Sequence, residues 1–373
     1  TILGYDAGIT QTSSNRNTFL GYGAGKDYVQ TGDMKNTAVG MYAMTDIQSG
    51  SNNTALGYQA LNGVGGSTSD NDYNTAIGYQ ALTGINGGNS NVAVGMYAGY
   101  TATTPSENVL VGVWAGSSQT TAAYNTLVGY AAGGKLVTSP KNVGIGHGAL
   151  YGHATQDTTS EKNVAIGFNA MYVASGANYN VAVGESALSG ASTGMTGDNN
   201  VAVGREALAN TTTGHTNVAL GYQAGYNVTT ALRSQFIGGG GNSVTTAQYN
   251  TIMGYQAGHS LQTTGNNVLI GKYAGRELSK DYCTFIGIDA GSGTTTGVNN
   301  TYIGASAAKN SSTGYYNVAV GNSAGNYLSG ATGVVDIGYG AGYYVSGNGN
   351  VFIGLQAGYG DASQTTNTAA YNV

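Results

Sequence analysis

Asn36-Thr37-Ala38-Val39-Gly40-Met41-Tyr42-Ala43-Met44 decides the fold of this chain, because it returns from one end to the other. The same phrase appears as NTALGYQAL from Asn53, NTAIGYQAL from Asn74, NVAVGMYAG from Asn91, NVAVGNSAG from Asn317 and NVFIGLQAG from Asn350. Its central glycine recurs 21 times, from Gly4 to Gly354, and most of the 20 intervals are 17 residues. A fixed period of this length marks a solenoid, in which each unit packs mainly on its two neighbours. The period therefore overrides the two or three globular domains that 373 residues would otherwise suggest. We expect an all-β parallel solenoid of about 21 coils, one continuous array over residues 1–373, as a segment of a longer protein.

Each copy is numbered here from its central glycine, at position 0. Position −1 is aliphatic in all 21 copies, and position −3 is Thr or Val in every copy but that of Gln235. Two such positions one residue apart have the period of a strand, with −3 and −1 on one face and −2 on the other. The glycine at 0 then allows a turn or a close approach of backbones. Position +3 is Ala in 20 copies, which marks a tightly packed inward site. Positions +5 to +12 are rich in Thr, Ser, Gly and Asn and absorb the longer intervals, as in 64–72, 151–162 and 189–198. The coil is thus a constant phrase with an adjustable arm, and two or three short strands per coil are expected. Stacked about 4.8 Å apart, 20 steps give a rod of roughly 100 Å.

Position −4 is Asn in 17 of 20 copies. Repeated at one corner of the coil, these amides are expected to form a ladder: Asn36, Asn53, Asn74, Asn91, Asn108, Asn125, Asn142, Asn163, Asn180, Asn200 and Asn217. Position −2 alternates between Ala and large apolar residues. It is Ala38, Ala55, Ala76 and Ala93 in some copies and Phe236, Ile252, Leu269, Phe285 and Tyr302 in others. It is never Lys, Arg or Glu. A coil of 17 residues has little interior, so this face is expected to point outward and form the contact of a homotrimer. On that assignment the chains would lie closer together over 165–219, where every −2 residue is Ala, than over 236–302.

NTAVG, NVAIG and NVAVG resemble the NSVAIG-type repeat in the head domains of trimeric autotransporter adhesins, and related repeats of phage tail fibres and tailspikes. The resemblance spans nearly the whole chain. It implies a homotrimeric parallel β-roll built for attachment, at a cell surface or on a virion, with a surface polysaccharide or host-cell receptor as partner. The heads of that family use a shorter coil, and the arm here is longer and more variable.

Composition narrows the chemistry. A net charge of −5 gives no basic footprint for nucleic acid, and no apolar run is long enough to span a membrane. Gly-rich strings such as Gly238 to Gly241 lack the Lys-Ser/Thr ending of a phosphate loop. The acids hold no fixed phase, which argues against calcium coils, and the four histidines are dispersed, two of them a half-coil apart at best, so no metal or other cofactor is expected. The single Cys283 reads as a small buried hydrophobe. Tyrosine is the more useful signal. Tyr58, Tyr79 and Tyr130 at +1, with Tyr97 and Trp114 at +2, form a column suited either to ring stacking or to glycan binding. The first expectation is a structural and adhesive extracellular fibre without catalysis. The alternative is a tailspike-type enzyme that cuts polysaccharide, which needs two carboxylates about a glycosidic bond; Asp70 and Asp72 share an inserted loop and could pair, but a solvated loop is the better reading of them, and the sparse acids do not otherwise repeat or pair. An ice-binding solenoid ranks lower, because Thr runs such as Thr211 to Thr213 do not hold one phase.

Overall fold

The computed structural model describes residues 1–10, 14–29, 32–64, 70–153, 159–191, 194–328, 330–344 and 346–360. Parts of the three long insertions, at 65–69, 154–158 and 192–193, lie outside the described residues. Two compact units are present, Thr1–Thr196 and Gly197–Val373. Each is an all-β parallel solenoid with a repeat near 17 residues and, among the described residues, no helix. The first unit stacks eleven short strands, from Ile2–Leu3 to Val181–Val183, and the second ten, from Val201–Val203 to Val351–Ile353. Strands pair in the register of the repeat: Ala76 opposite Ala93, Ala93 opposite Leu110, and Phe236 opposite Ile252.

One three-residue strand per coil, at −3 to −1, replaces the two or three expected. A second pair, Ser14–Asn15 with Gly32–Asp33, and a few single bridges such as Asn89 with Ser106 are all that add to it among the described residues. The reason lies after the glycine. In the Gly95 coil, φ is +136° at Gly95, +59° at Tyr97 and +63° at Gly99, so alternate residues are left-handed and extended structure stops. The turn keeps its hydrogen bonds along the stacking axis nonetheless. Val92 N–H donates to Asn108 O of the next coil (2.8 Å) and Gly99 N–H to Ala115 O (2.9 Å). Gly95 N–H donates back to Ile77 O (2.8 Å) and Tyr97 N–H to Tyr79 O (2.9 Å). Backbone polar groups are thus satisfied by neighbouring coils, as burial requires.

The asparagines at −4 are buried and linked. The Oδ1 of Asn91 accepts both the Asn108 N–H (3.2 Å) and the Asn108 Nδ2 (3.0 Å), while the Asn91 Nδ2 donates to Pro105 O in the arm that leads to the next coil (2.9 Å). The backbone link repeats without a gap from Asn36 through Asn180 in the first unit. In the second unit Asn217 N–H donates to Asn200 Oδ1 (3.0 Å). An amide supplies the acceptor and the donor at once, which explains why Asn recurs here. Cys283 stands at this position in its coil, where burial pushes its thiol up to about 11.

Burial corrects the outward assignment of position −2. Ala38, Ala55, Ala76, Ala93, Phe236, Ile252, Leu269, Phe285 and Tyr302 are each fully buried within a single chain, so none of them forms a face between chains. Strand parity gives the physical reason. A buried Asn at −4 places −2 on the same inward side, beside the Ala at +3.

The size alternation at −2 is matched inside the coil by position +4. Ala76 accompanies Leu82, and Ala165 accompanies Met171; Leu127 accompanies Gly133, and Leu269 accompanies Gly275. A Cβ on Gly133 would lie 2.5 Å from Leu127 Cδ1, so one large side chain excludes the other. Where both positions are small, as at Ala93 and Gly99, neighbouring coils fill the space. A Cβ on Gly99 would meet Leu82 Cδ2 at 2.9 Å and Leu110 Cδ1 at 3.0 Å. Leu127→Ala is expected to lower stability by about 2–5 kcal/mol, and Gly133→Leu by about 1–3 kcal/mol. The double variant, which recreates the Ala76–Leu82 pattern, is expected to lose less than Leu127→Ala alone. Thermal unfolding of the three variants measures this, and simple additivity would contradict the pairing.

Candidate functional site

Two features face outward, the first in every coil and the second in many of them. The first is the pair of strand positions −3 and −1. None of the aliphatic residues at −1 is buried; Leu56 is 47% exposed and Ile166 37%. The position −3 residues beside them are Thr or Val and are also unburied, apart from the exchange for Gln235. No charge interrupts these two columns. A row of β-branched and aliphatic side chains, half in water, covers one side of each unit.

The second feature is a column of aromatic rings at +1 and +2, brought into line by the same left-handed turn. In the first unit Tyr5 stacks on Tyr22 (5.5 Å between centroids, 11° between planes), and Tyr42 stands edge-on to both Tyr22 and Tyr58. Tyr58 then stacks on Tyr79 (5.1 Å, 15°), Tyr79 meets Tyr97 edge-on (5.3 Å, 81°), and Tyr97 stacks on Trp114 (4.2 Å, 24°). The Tyr79 hydroxyl is shifted up, first by loss of water and then by its neighbour Tyr97. In the coil after Trp114 the column resumes at Tyr130 and runs on through His147 and Phe168, stacked 5.0 and 5.1 Å apart.

The five aromatics singled out in the sequence, Tyr58, Tyr79, Tyr97, Trp114 and Tyr130, therefore share one column but not one role. Tyr58 stacks on Tyr79 and Tyr97 on Trp114, so one face of each is taken by a neighbouring ring. The column is interrupted between Trp114 and Tyr130, where no ring contact joins the two sides. A groove of about 410 Å³ opens at that place. Tyr100, Trp114, Tyr130, His147, Tyr151 and Tyr172 are the rings that line it. Tyr151 and Tyr172 are themselves stacked (5.0 Å, 7°), and Tyr100 stands edge-on to Trp114 (6.4 Å, 71°). Glycine makes room for these rings: a Cβ on Gly134 would lie 3.1 Å from Tyr151 Cε2.

The polar side of the groove is sparse. Thr101 Oγ1 donates to Ser117 O (3.0 Å) and Ser117 Oγ to Gly134 O (3.2 Å), so both hydroxyls keep lone pairs to accept with. Lys135 lines the groove, and no carboxylate does among the described residues.

Elsewhere the titratable groups are dispersed. Asp72 Oδ1 accepts from Ser51 N–H (2.6 Å) and Ser51 Oγ (3.0 Å), which ties it to the preceding coil and away from a paired role with Asp70. Among the described residues no three His, Cys, Asp or Glu side chains are grouped to hold a metal, and no helix is long and apolar enough to cross a membrane. In the second unit Lys272 and Arg276 both lie over the Tyr273 ring, at 4.8 and 5.6 Å. Tyr327, Tyr343, Tyr344 and Tyr359 form a further ring cluster there. The columns were legible as a period-17 signal; the interruption was not, since it depends on which way each ring turns. Compared with known protein families, with curated proteins and with solved structures, the chain matches none.

Proposed function

We propose that this chain is the shaft of an extracellular fibre, at a cell surface or on a virion, which assembles as a homotrimer and attaches to surfaces or glycans without catalysis. The observation that carries the reading is the outward aliphatic residue at −1 in every coil. Full burial of such a side chain is worth about 1.5–3 kcal/mol, so covering the exposed two-fifths stabilises by roughly 0.5–1 kcal/mol per coil. Summed over ten coils that is several kcal/mol, on a face with no charge to oppose association. The contact between copies accordingly moves from −2 to the −3 and −1 columns. The resemblance to trimeric adhesin heads and tail fibres supports the number three and the extracellular setting. The engagement of Asp72 weighs against the polysaccharide-cutting alternative.

Sedimentation of the chain at micromolar concentration tests the reading. A trimer is expected, and the double variant Ile77→Lys with Val111→Lys is expected to sediment as a folded monomer with an unchanged β-type circular dichroism spectrum. A wild-type chain that is monomeric under the same conditions would overturn the assignment.

A further inference from the structure

We propose that the Gly238 coil, in the second unit, holds a slot for one pyranose ring of a neutral saccharide, between Tyr222 and Tyr255. The inference rests on the attachment part of the reading above and adds a location and a ligand class to it.

The slot follows from one shortened turn. In a regular coil the +4 N–H donates to the +3 carbonyl of the next coil, as Gly99 does to Ala115. Here Gly225 N–H donates to Gly240 O (3.2 Å), and Gly241 N–H to Ala257 O (3.0 Å). Gly240 thus stands at +3, and Gly239 alone spans the stretch where other coils have both +1 and +2. A regular +2 residue donates to the +1 carbonyl of the preceding coil, as Gln223 N–H does to Arg205 O (3.0 Å). With that residue missing, Tyr222 O and, in the following coil, Gln256 N–H have no hydrogen-bond partner among the described residues. The ring at +1 is missing too. Where +1 rings occupy consecutive coils they stack, as Tyr58 and Tyr79 do (5.1 Å, 15°). Tyr222 and Tyr255 are instead separated by two coil steps of about 4.8 Å each. Gly239 stands between them, and a Cβ on it would meet only Tyr222 O, at 3.5 Å. A slot of about 390 Å³ opens there, lined by both rings. That volume is in the range of small-ligand sites.

A ligand ring at that place completes the column, and the polar groups select which ring. Gln223 Nε2 donates to Glu206 Oε2 (2.7 Å), and Gln256 Nε2 to the Tyr255 hydroxyl (3.3 Å). Asn242, with its amide turned to satisfy the carbonyls beside it, donates to Gln223 O (2.7 Å) and Gly239 O (3.2 Å). All three amides line the slot and none of them is buried. Each has its nitrogen engaged within the chain and its oxygen left to accept. With Tyr222 O they suit a ring that carries several hydroxyl donors, and a pyranose also stacks on an aromatic face through its C–H groups. No Asp, Glu, Lys or Arg lines the slot among the described residues. Arg205, over the Tyr222 ring at 5.2 Å, is paired with Glu206 (3.5 Å), so no charge is left to select an ionic sugar.

The full chain is titrated calorimetrically with neutral oligosaccharides of glucose, mannose and galactose, and with their uronate counterparts. Saturable heat is expected with at least one neutral set, and no tighter binding with its uronate counterpart. Tyr222→Ala and Tyr255→Ala should each weaken binding by roughly tenfold, and Tyr58→Ala should leave it within about twofold. Gly239→Tyr supplies the missing ring from the chain itself and should abolish binding. Its φ of +72° is close to the +59° that Tyr97 already adopts, so this variant is expected to keep the wild-type circular dichroism spectrum even if the alanine variants unfold. Three results would overturn the proposal: no saturable heat with any neutral set, tighter binding of the uronates, or wild-type affinity in folded Gly239→Tyr. Sedimentation of the same samples separates this from the fibre reading. An assembled chain with a flat titration sinks the site alone, and a monomeric chain with a saturating titration sinks the assembly alone.

Discussion

Gly95→Ala is expected to lower the stability of the first unit by roughly 3–6 kcal/mol, the sum of a backbone conformation that L-residues resist and an overpacked contact. Gly95 has φ +136°, and a Cβ there would lie 2.6 Å from Gly112 O and 2.7 Å from Gly112 C of the next coil. Those atoms belong to backbone held in the axial hydrogen-bond ladder, so they cannot swing aside as a side-chain tip does. Gly112 stands in the same relation to Gly129, and the column of glycines is a place where backbone rests on backbone. Gly176→Ala provides the contrast. Its φ is +81°, and a Cβ there would have nothing within 4 Å, so a cost of only about 1–2 kcal/mol is expected. Chemical denaturation of the two variants decides the matter, and equal midpoints would refute the stacking explanation.

Asp336→Leu is expected to stabilise the second unit, and to do so more at pH 8 than at pH 4. Asp336 occupies the inward position −2 and is fully buried, and neither carboxyl oxygen has a hydrogen-bond partner. Burial pushes its carboxyl up to about 8. The same group in an unfolded chain ionises near pH 3.9. Between those values the folded chain holds one more proton than the unfolded chain, so stability falls as pH rises through the window. The slope is about 1.4 kcal/mol per pH unit, and the effect levels off above the folded value. Leucine fits the site by the core rule, since Gly342 at +4 leaves the room that Gly116 leaves for Leu110. The check is the melting temperature of both proteins at pH 4, 6 and 8. A wild-type melting temperature that does not drop relative to the variant across that range would show that the carboxyl finds a partner or water.

These two sites show what the sequence makes legible and what it hides. The Asn ladder and the −3 to −1 strand follow from period and residue type, because both depend on backbone spacing that every coil shares. The inside and outside of the strand were harder. Positions −2 and −1 are both apolar, so hydropathy alone does not choose between them; the parity of the buried Asn91 with Ala93 does. The Ala76–Leu82 and Leu127–Gly133 exchange is visible in the sequence once −2 is placed inside, and has no meaning while it is placed outside. The left-handed residues at +2 were hidden for another reason. Tyr97, Trp114 and Gln80 adopt φ of 59°, 63° and 53°, and none of them is a residue type that announces such a conformation. The groove at Trp114 depends on ring orientation, which no spacing encodes.

The axial wiring has a mechanical consequence. Between the Gly95 and Gly112 coils, Val92, Gly99, Gly112 and Trp114 all donate backbone hydrogen bonds across one junction, each directed along the stack. A pull along that direction loads all of them together, and the Asn91–Asn108 link with them, so no single bond can be peeled first. Within a unit, the force needed to separate adjacent coils is then a property of the junction and not of the number of coils, and a longer stack can be drawn out without becoming weaker. A sideways pull on one arm loads its bonds one after another and opens that coil at much lower force. Such a material resists drag along its length and yields at its loops.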